Sequence, residues 1–227
     1  MSVDPVCDVT AVEYAYNRTV ALRGVSLTVN PAEVVAVTGP SGCGKSTLLH
    51  AAAGILRPQK GAVRLLGQDL ASLDEGERTR LRCRRVGIVL QFGQLVPDVP
   101  VLDNVALPLM FNGKGRALAR KTAREWLARV GMEGVRDAVP AELSGGQGQR
   151  VAVARALVTD PTILLADEPT GSMDTIAGED LLQLLLGNAR ERGMSIVLVT
   201  HDNIVASRAD REVRLRDGLV ESEHSLR

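Results

Sequence analysis

Aromatic residues are almost missing. The 227-residue chain has two Phe, two Tyr and one Trp, 2% of its length, which argues against base-stacking platforms for nucleic acid. Neither sign of charge is in excess: 27 basic residues face 27 acidic ones. With no general attraction to a polyanion, no nucleic-acid partner is expected. No apolar run approaches the roughly 20 residues of a membrane span, so no transmembrane segment is expected. Met1 to Thr10 is acidic and lacks the basic and apolar regions of a secretory leader. Cysteine is scarce too. Cys7, Cys43 and Cys83 are scattered and odd in number, so they make neither a metal pair nor a disulfide framework and suit a reducing cytosol. There is no repeat and no low-complexity segment. What is present is an ordinary globular composition, 45% apolar and 24% charged, in a chain long enough for a substantial core.

Hydrophobic patterning alternates strands with helices. Val9 to Tyr16 and Val25 to Val29 read as strands, and Val34 to Thr38 as a strand buried on both faces. A helix follows to Gly54, then a strand from Ala62 to Leu66 with Gly67-Gln68-Asp69 as its turn. The basic run Arg78 to Arg85 reads as a solvated helix face, and Val86 to Leu90 as a buried strand leading into Gln91. From Phe92 the pattern changes. Pro97, Pro100 and Pro108 are expected to break the segment early. A helix from Gly115 to Val130 then places Leu118, Thr122, Trp126, Leu127 and Val130 at helical spacing, with Trp126 in the core. Alternation resumes with a helix from Ser144, a strand from Thr162 to Ala166, a helix capped by Asp174 and stopped by Gly193, and a strand from Ser195 to Thr200. Arg211 to Ser222 closes the chain as a hairpin around Asp217-Gly218. Such alternation implies parallel strands with helices on both faces.

Three stretches carry chemistry. Gly39-Pro40-Ser41-Gly42-Cys43-Gly44-Lys45-Ser46-Thr47 fits the phosphate-binding pattern G-x-x-x-x-G-K-[ST], set between a strand and a helix. Its glycines let backbone N–H groups converge on a phosphate, and the helix mouth adds positive potential. Lys45 adds a full charge near the outer phosphates, and the Ser46 hydroxyl can ligate Mg²⁺. Cys43, at this helix mouth, is expected to be a reactive thiol that nucleotide protects from alkylation. Ile163 to Glu168 is an apolar strand ending in two carboxylates. Asp167 is expected to hold Mg²⁺, and Glu168 to position the attacking water. Leu143-Ser144-Gly145-Gly146-Gln147 opens a second anion-ready helix. One nucleotide cannot easily use two such mouths within one subunit, whereas a second copy facing the first brings Ser144-Gly145-Gly146 onto the other's γ-phosphate.

Together these residues resemble the ATP-binding cassette (ABC) family of transporter ATPases over about residues 9 to 222. The resemblance implies an α/β P-loop NTPase fold in a single domain. Its parts would be a mostly parallel sheet flanked by helices, an N-terminal antiparallel β subdomain, and a helical subdomain at about 92–158 inserted in a RecA-like core. Gly39 to Thr47 resembles the family's Walker A loop, Leu143 to Gln147 its signature motif, and Asp167 and Glu168 its Walker B aspartate and catalytic glutamate. Gln91 stands at the Q-loop glutamine, which contacts Mg²⁺ and water and senses the transport subunit. Ser172-Met173-Asp174 resembles the D-loop, which touches the other subunit. His201 resembles the switch histidine on the γ-phosphate, and Tyr16 the aromatic stacked on adenine.

The implied cofactors are ATP and Mg²⁺. The implied partners are a second nucleotide-binding subunit, as a homodimer, and integral membrane permease subunits, with the chain peripheral on the cytoplasmic face of the membrane. Three residues depart from the family pattern: Ala32 for a turn glycine, Gly148 for glutamine, and Met173 for leucine. Gly148 is expected to weaken its helix by up to about 1 kcal/mol. The segment Gln91 to Pro108 is similar to the branch that drives lipoprotein release, macrolide export or antimicrobial-peptide export, and signalling through membrane partners fits equally.

Overall fold

The computed structural model describes residues 4–91 and 93–226. Met1 to Val3, Arg227 and Phe92, where the helical insertion is expected to open, lie outside the described residues. Among those described, the strands are β1 (Cys7–Tyr16), β2 (Thr19–Val29), β3 (Val34–Thr38), β4 (Lys60–Leu65), β5 (Gln68–Asp69), β6 (Val86–Val89), β7 (Ile163–Asp167), β8 (Ser195–Val199), β9 (Arg211–Arg216) and β10 (Leu219–Ser225). The helices are α1 (Lys45–Ala52), α2 (Glu75–Arg85), α3 (Val101–Phe111), α4 (Arg116–Arg129), α5 (Gly145–Leu157), α6 (Thr175–Arg192) and α7 (Asn203–Ala206). No helix among them is long and apolar enough to cross a membrane.

The strands form two sheets. One is antiparallel, ordered β2-β1-β4-β5; the other is ordered β10-β9-β3-β8-β7-β6 and is parallel except for the β9–β10 hairpin. Period-two alternation divides the large sheet cleanly. Val34, Ala36, Leu164, Ala166, Ile196 and Leu198 face a core built with α3, α4, α5 and α6. Val35, Val37, Ile163, Leu165, Val197 and Val199 face the other way, into a core shared with α1 and the antiparallel sheet. Strands β3, β7 and β8 are buried at every position, as continuous apolar runs require in a parallel sheet covered on both faces.

Several sequence expectations are corrected by long-range packing. β2 begins at Thr19 rather than Val25, because a two-residue turn pairs Tyr16 with Thr19 and carries the hairpin outward. The turn after β4 is Leu66-Gly67, both with positive φ, and Gln68-Asp69 forms β5 instead of turning. Pro97 and Pro100 do precede the helix, but Pro108 lies inside α3 without ending it. An internal proline costs about 3 kcal/mol; here Val101, Leu102, Val105, Ala106 and Leu109 bury the face that offsets it. On α4 the buried stripe is Ala119, Ala123, Trp126, Leu127 and Val130, while Leu118 is 55% exposed. Small alanines let α4 approach its neighbours closely, and Trp126 is in the core with the Arg129 guanidinium 4.7 Å over its ring.

Helix ends behave as their sequences require. Ser144 caps α5 and Asp174 caps α6, each accepting a hydrogen bond from a first-turn N–H, and Gly193 ends α6 in the left-handed region. Gly148 does not interrupt α5. The turn into β3 is strained and clipped. Ala32 sits at φ +58. Beside it the Glu33 carboxylate accepts from Asn30 N–H (2.8 Å) and from Arg211 Nε (2.8 Å). Burial alone would raise the Glu33 pKa, but Arg211 and the Asn30 N–H hold it below the ordinary glutamate value. Arg211 also donates to Glu223 and to the Thr28 carbonyl, joining β9 to β10 and β2.

Ala32→Gly is expected to stabilise the fold by about 0.5–1 kcal/mol, the left-handed penalty of an L-residue less glycine's extra freedom in the unfolded chain. A higher urea midpoint at unchanged slope checks this; a lower midpoint contradicts it.

Candidate nucleotide site

The loop between β3 and α1 is fixed by close backbone approaches. A Cβ at Gly39, at φ +136, would lie 2.1 Å from the Leu215 carbonyl oxygen of β9. A Cβ at Gly44, at φ +107, would lie 2.4 Å from the Ala21 carbonyl oxygen of β2. Only glycine fits at either position. The closing hairpin braces the loop further, because the Gly218 N–H donates to the Cys43 carbonyl (3.1 Å). The loop is thus held from two sides by strands remote in sequence.

This loop leads into a helix mouth without a capping side chain. The N-cap of α1 is Gly44, and no acidic residue stands in the first turn. The leading N–H groups of a helix have no intrahelical acceptor, and here no side chain supplies one, which is the arrangement that accepts an anion. Lys45 is buried and bends back over the loop, where Nζ donates to the carbonyls of Gly39 (2.7 Å) and Pro40 (2.8 Å). Cys43 lies beneath it with only 4% of its surface exposed. The expectation that Cys43 is readily alkylated is therefore corrected: its sulfur faces the loop interior and the core.

β7 delivers the acids. Asp167 ends the strand, buried. Burial pushes its carboxyl pKa up and the neighbouring Glu168 adds to this, while a Ser46 hydrogen bond and the nearby His50 and Lys45 act in the opposite direction. Glu168 follows at φ +47. Its Oε1 lies 2.6 Å from His201 Nδ1 and accepts from the His201 backbone N–H (3.0 Å), and its Oε2 accepts from the Thr200 hydroxyl (3.3 Å). His201 therefore orients the glutamate directly.

One groove of about 530 Å³ is lined by Tyr16, Ser41, Gly42, Gly44, Lys45, Ser46, Thr47, Gln91, Asp167, Glu168 and His201. Gly39, Pro40 and Cys43, also expected at the site, do not line the groove: Cys43 is buried and Pro40 is exposed on the loop. Thr19, Val20 and Ala21 complete the wall beside Tyr16. Local alternation from Val25 to Val29 does not announce them, because the outer part of β2 is set by its pairing with β1. Tyr16 is 46% exposed, braced edge-on by Tyr14 at 4.9 Å between centroids, whereas Tyr14 packs on the core.

A second groove, about 330 Å³, is lined by Ser144, Gly145, Gly146 and Gln147 together with Ser172, Met173 and Asp174. It shares no lining residue with the first. Its helix mouth carries a capping box: Ser144 Oγ accepts from Gln147 N–H (3.3 Å), and Gln147 Oε1 accepts from Ser144 N–H (2.9 Å). α5 reaches the rest of the machinery through its buried length. Arg155 donates to the carbonyls of Gly93 (2.8 Å) and Gln94 (3.0 Å), fixing the loop after Gln91. The buried Asn104 holds the same loop at Val96 and Val99. Their sequence signal was a polar residue interrupting an apolar helix face.

The glycines separate into two classes with a measurable difference. Gly39→Ala is expected to destabilise by about 2–4 kcal/mol, from overlap plus left-handed strain. Gly42→Ala, with open space around its Cβ, should cost only about 1 kcal/mol. Thermal unfolding of the two variants checks the order; equal midpoints would contradict the brace described for Gly39.

Comparison with known proteins agrees with this geometry. Residues 22–171 match the family described as ABC transporter. The chain is 45% identical over 222 residues to the lipoprotein-releasing system ATP-binding protein LolD 2 of Caulobacter vibrioides, covering 96% of this chain and 97% of that protein. It is 44% identical over 204 residues to the macrolide export ATP-binding/permease protein MacB of Syntrophobacter fumaroxidans, covering 89% of this chain but 28% of that longer protein. Among solved structures, a dimeric ATP-binding cassette in a post-hydrolysis state with ADP and Pi superposes with a TM-score of 0.93 at 39% identity, covering 97% of this chain and 99% of that one. With a family match over more than half of its length and relatives this similar over nearly all of it, the chain belongs to the ABC transporter family as an ATP-hydrolysing, nucleotide-binding subunit.

Proposed function

We propose that two copies of this chain close face to face over two ATP molecules, and that closure drives membrane subunits in lipoprotein release or a related export task. One observation carries the reading: the phosphate loop and the signature mouth open into grooves with no residue in common. A triphosphate in the first groove meets Ser144, Gly145 and Gly146 only if another copy supplies them. The solved cassette with ADP and Pi is dimeric, which supports the pairing.

Within each site the residues have separable tasks. Backbone N–H groups of Ser41 to Thr47 cradle the phosphates, and Lys45 exchanges its carbonyl partners for phosphate oxygens of higher charge. Tyr16 offers a face to the base. The donor set fits Mg²⁺, since Ser46, Gln91 and the buried Asp167 bring oxygen ligands to one wall of the groove. Among the described residues no cluster of three acidic, histidine or cysteine side chains forms a cage. When bound, Mg²⁺ would neutralise charge that develops in transfer. Glu168 positions the attacking water, and His201, released from the carboxylate, reaches the γ-phosphate. Asp174 and the Ser172-Met173 turn meet the second copy.

One surface groove supports a membrane partner. A groove of about 310 Å³ beside the Gln91 loop is lined by Ile55, Cys83, Ile88, Leu90 and Pro108, with Phe111 72% exposed at its edge. Its apolar character supports docking of a permease segment at the cytoplasmic face. The helices between about 92 and 158 act as the moving part of a single ATP-binding domain.

Glu168→Gln should retain ATP binding and lower steady hydrolysis by about 100-fold or more, while sedimentation with MgATP shows a shift to dimer mass. Near-normal turnover, or a chain that binds ATP yet stays monomeric, would contradict the proposal.

A further inference from the structure

We propose that Gln149 is a positioning residue for Glu168, holding the main chain of the water-orienting glutamate to the signature helix. The inference rests on the role proposed for Glu168. Gln149 is the fifth residue of α5, 1% exposed, on the face that also buries Ala152, Val153 and Ala156. An amide on such a face costs free energy that an apolar side chain of the same length would not. Its Nε2 lies 3.5 Å from the Glu168 carbonyl oxygen, while its Oε1 is buried with no hydrogen-bond partner. Swapping the amide would set oxygen against oxygen, so the donor must face the carbonyl. A side chain with one half unpaired is kept for the half that is used.

The group it contacts needs holding. Glu168 adopts φ +47, a region that L-residues occupy only under constraint. Its N–H donates to Val199 (2.9 Å), and its carbonyl accepts from Gly171 N–H (3.2 Å). Gly171 leads directly into Ser172 and Met173, which line the signature groove beside the mouth of α5. Gln149 therefore spans from α5 to the near end of the segment that joins the two grooves. Displacement of α5 when a second copy's phosphate enters the signature groove would be delivered to the Glu168 carbonyl through this amide.

Gln149→Met keeps the length and removes both the donor and the orphaned acceptor. With the purified full chain and MgATP, kcat should fall about tenfold or more while KM for ATP changes less than about twofold, the pattern of an interaction used in the transition state. The unfolding midpoint should hold or rise. In a Glu168→Gln background, adding Gln149→Met should change the residual single-turnover rate by less than about twofold, because Gln149 acts through Glu168. Wild-type kcat in Gln149→Met would overturn the inference, as would a rate loss of equal size in both backgrounds. If Glu168→Gln itself keeps turning over, the role of Glu168 falls and this inference with it. If Glu168→Gln is inactive while Gln149→Met is normal, only this inference falls.

Discussion

Two helix mouths in this chain are suited to an anion, and they do not open into the same groove. That separation constrains the rest of the structure. α1 begins behind glycines, with no capping side chain and no acid in its first turn. α5 begins behind a serine closed on its own third residue. A triphosphate has negative charge enough for both dipoles and N–H sets, but one copy presents them in different places. In the proposed pairing of two copies, one triphosphate would meet both.

The fold braces the phosphate loop and the acid-bearing strand and joins them to the second groove by a short link. The phosphate loop is locked by Leu215 of β9 and Ala21 of β2, so it takes its shape from strands contributed by opposite ends of the chain. Asp167 and Glu168 are delivered by a strand buried at every position. The link from the acids to the signature groove is a short turn through Gly171 together with the buried length of α5. That helix holds the Gln91 loop through Arg155. The strand-end acids, the Gln91 loop and the second groove thus meet on one helix and one turn.

Much of this was legible from the residues, and the boundary of legibility is physical. Gly39 to Thr47, Leu143 to Gln147 and Ile163 to Glu168 are contiguous, so their spacing alone dictates backbone shape. The caps Ser144, Asp174 and Gly193 were readable for the same reason. Pairing between distant segments was not. The outward extension of β2, the short β5 and the Ala21 wall depend on hairpin partners that local alternation does not specify. Pro108 was expected to break a helix because propensity is local, whereas the burial of Val105 and Leu109 that holds α3 together is not. Cys43 was read by its place in a loop and not by the packing of Leu215 and Lys45 around it. The contact of His201 with Glu168 joins residues 33 positions apart, and nothing in either neighbourhood announces it.

The pairing of grooves across copies is tested most directly by mixing two inactive chains. Lys45→Ala disables the phosphate loop and leaves the signature mouth intact; Ser144→Arg blocks the mouth and leaves the loop intact. Hydrolysis measured on each alone should be near background. An equimolar mixture should recover about a quarter of wild-type activity, since half the dimers are mixed and each holds one complete site of two. A mixture as inactive as its components, with mixed dimers present, would contradict the account.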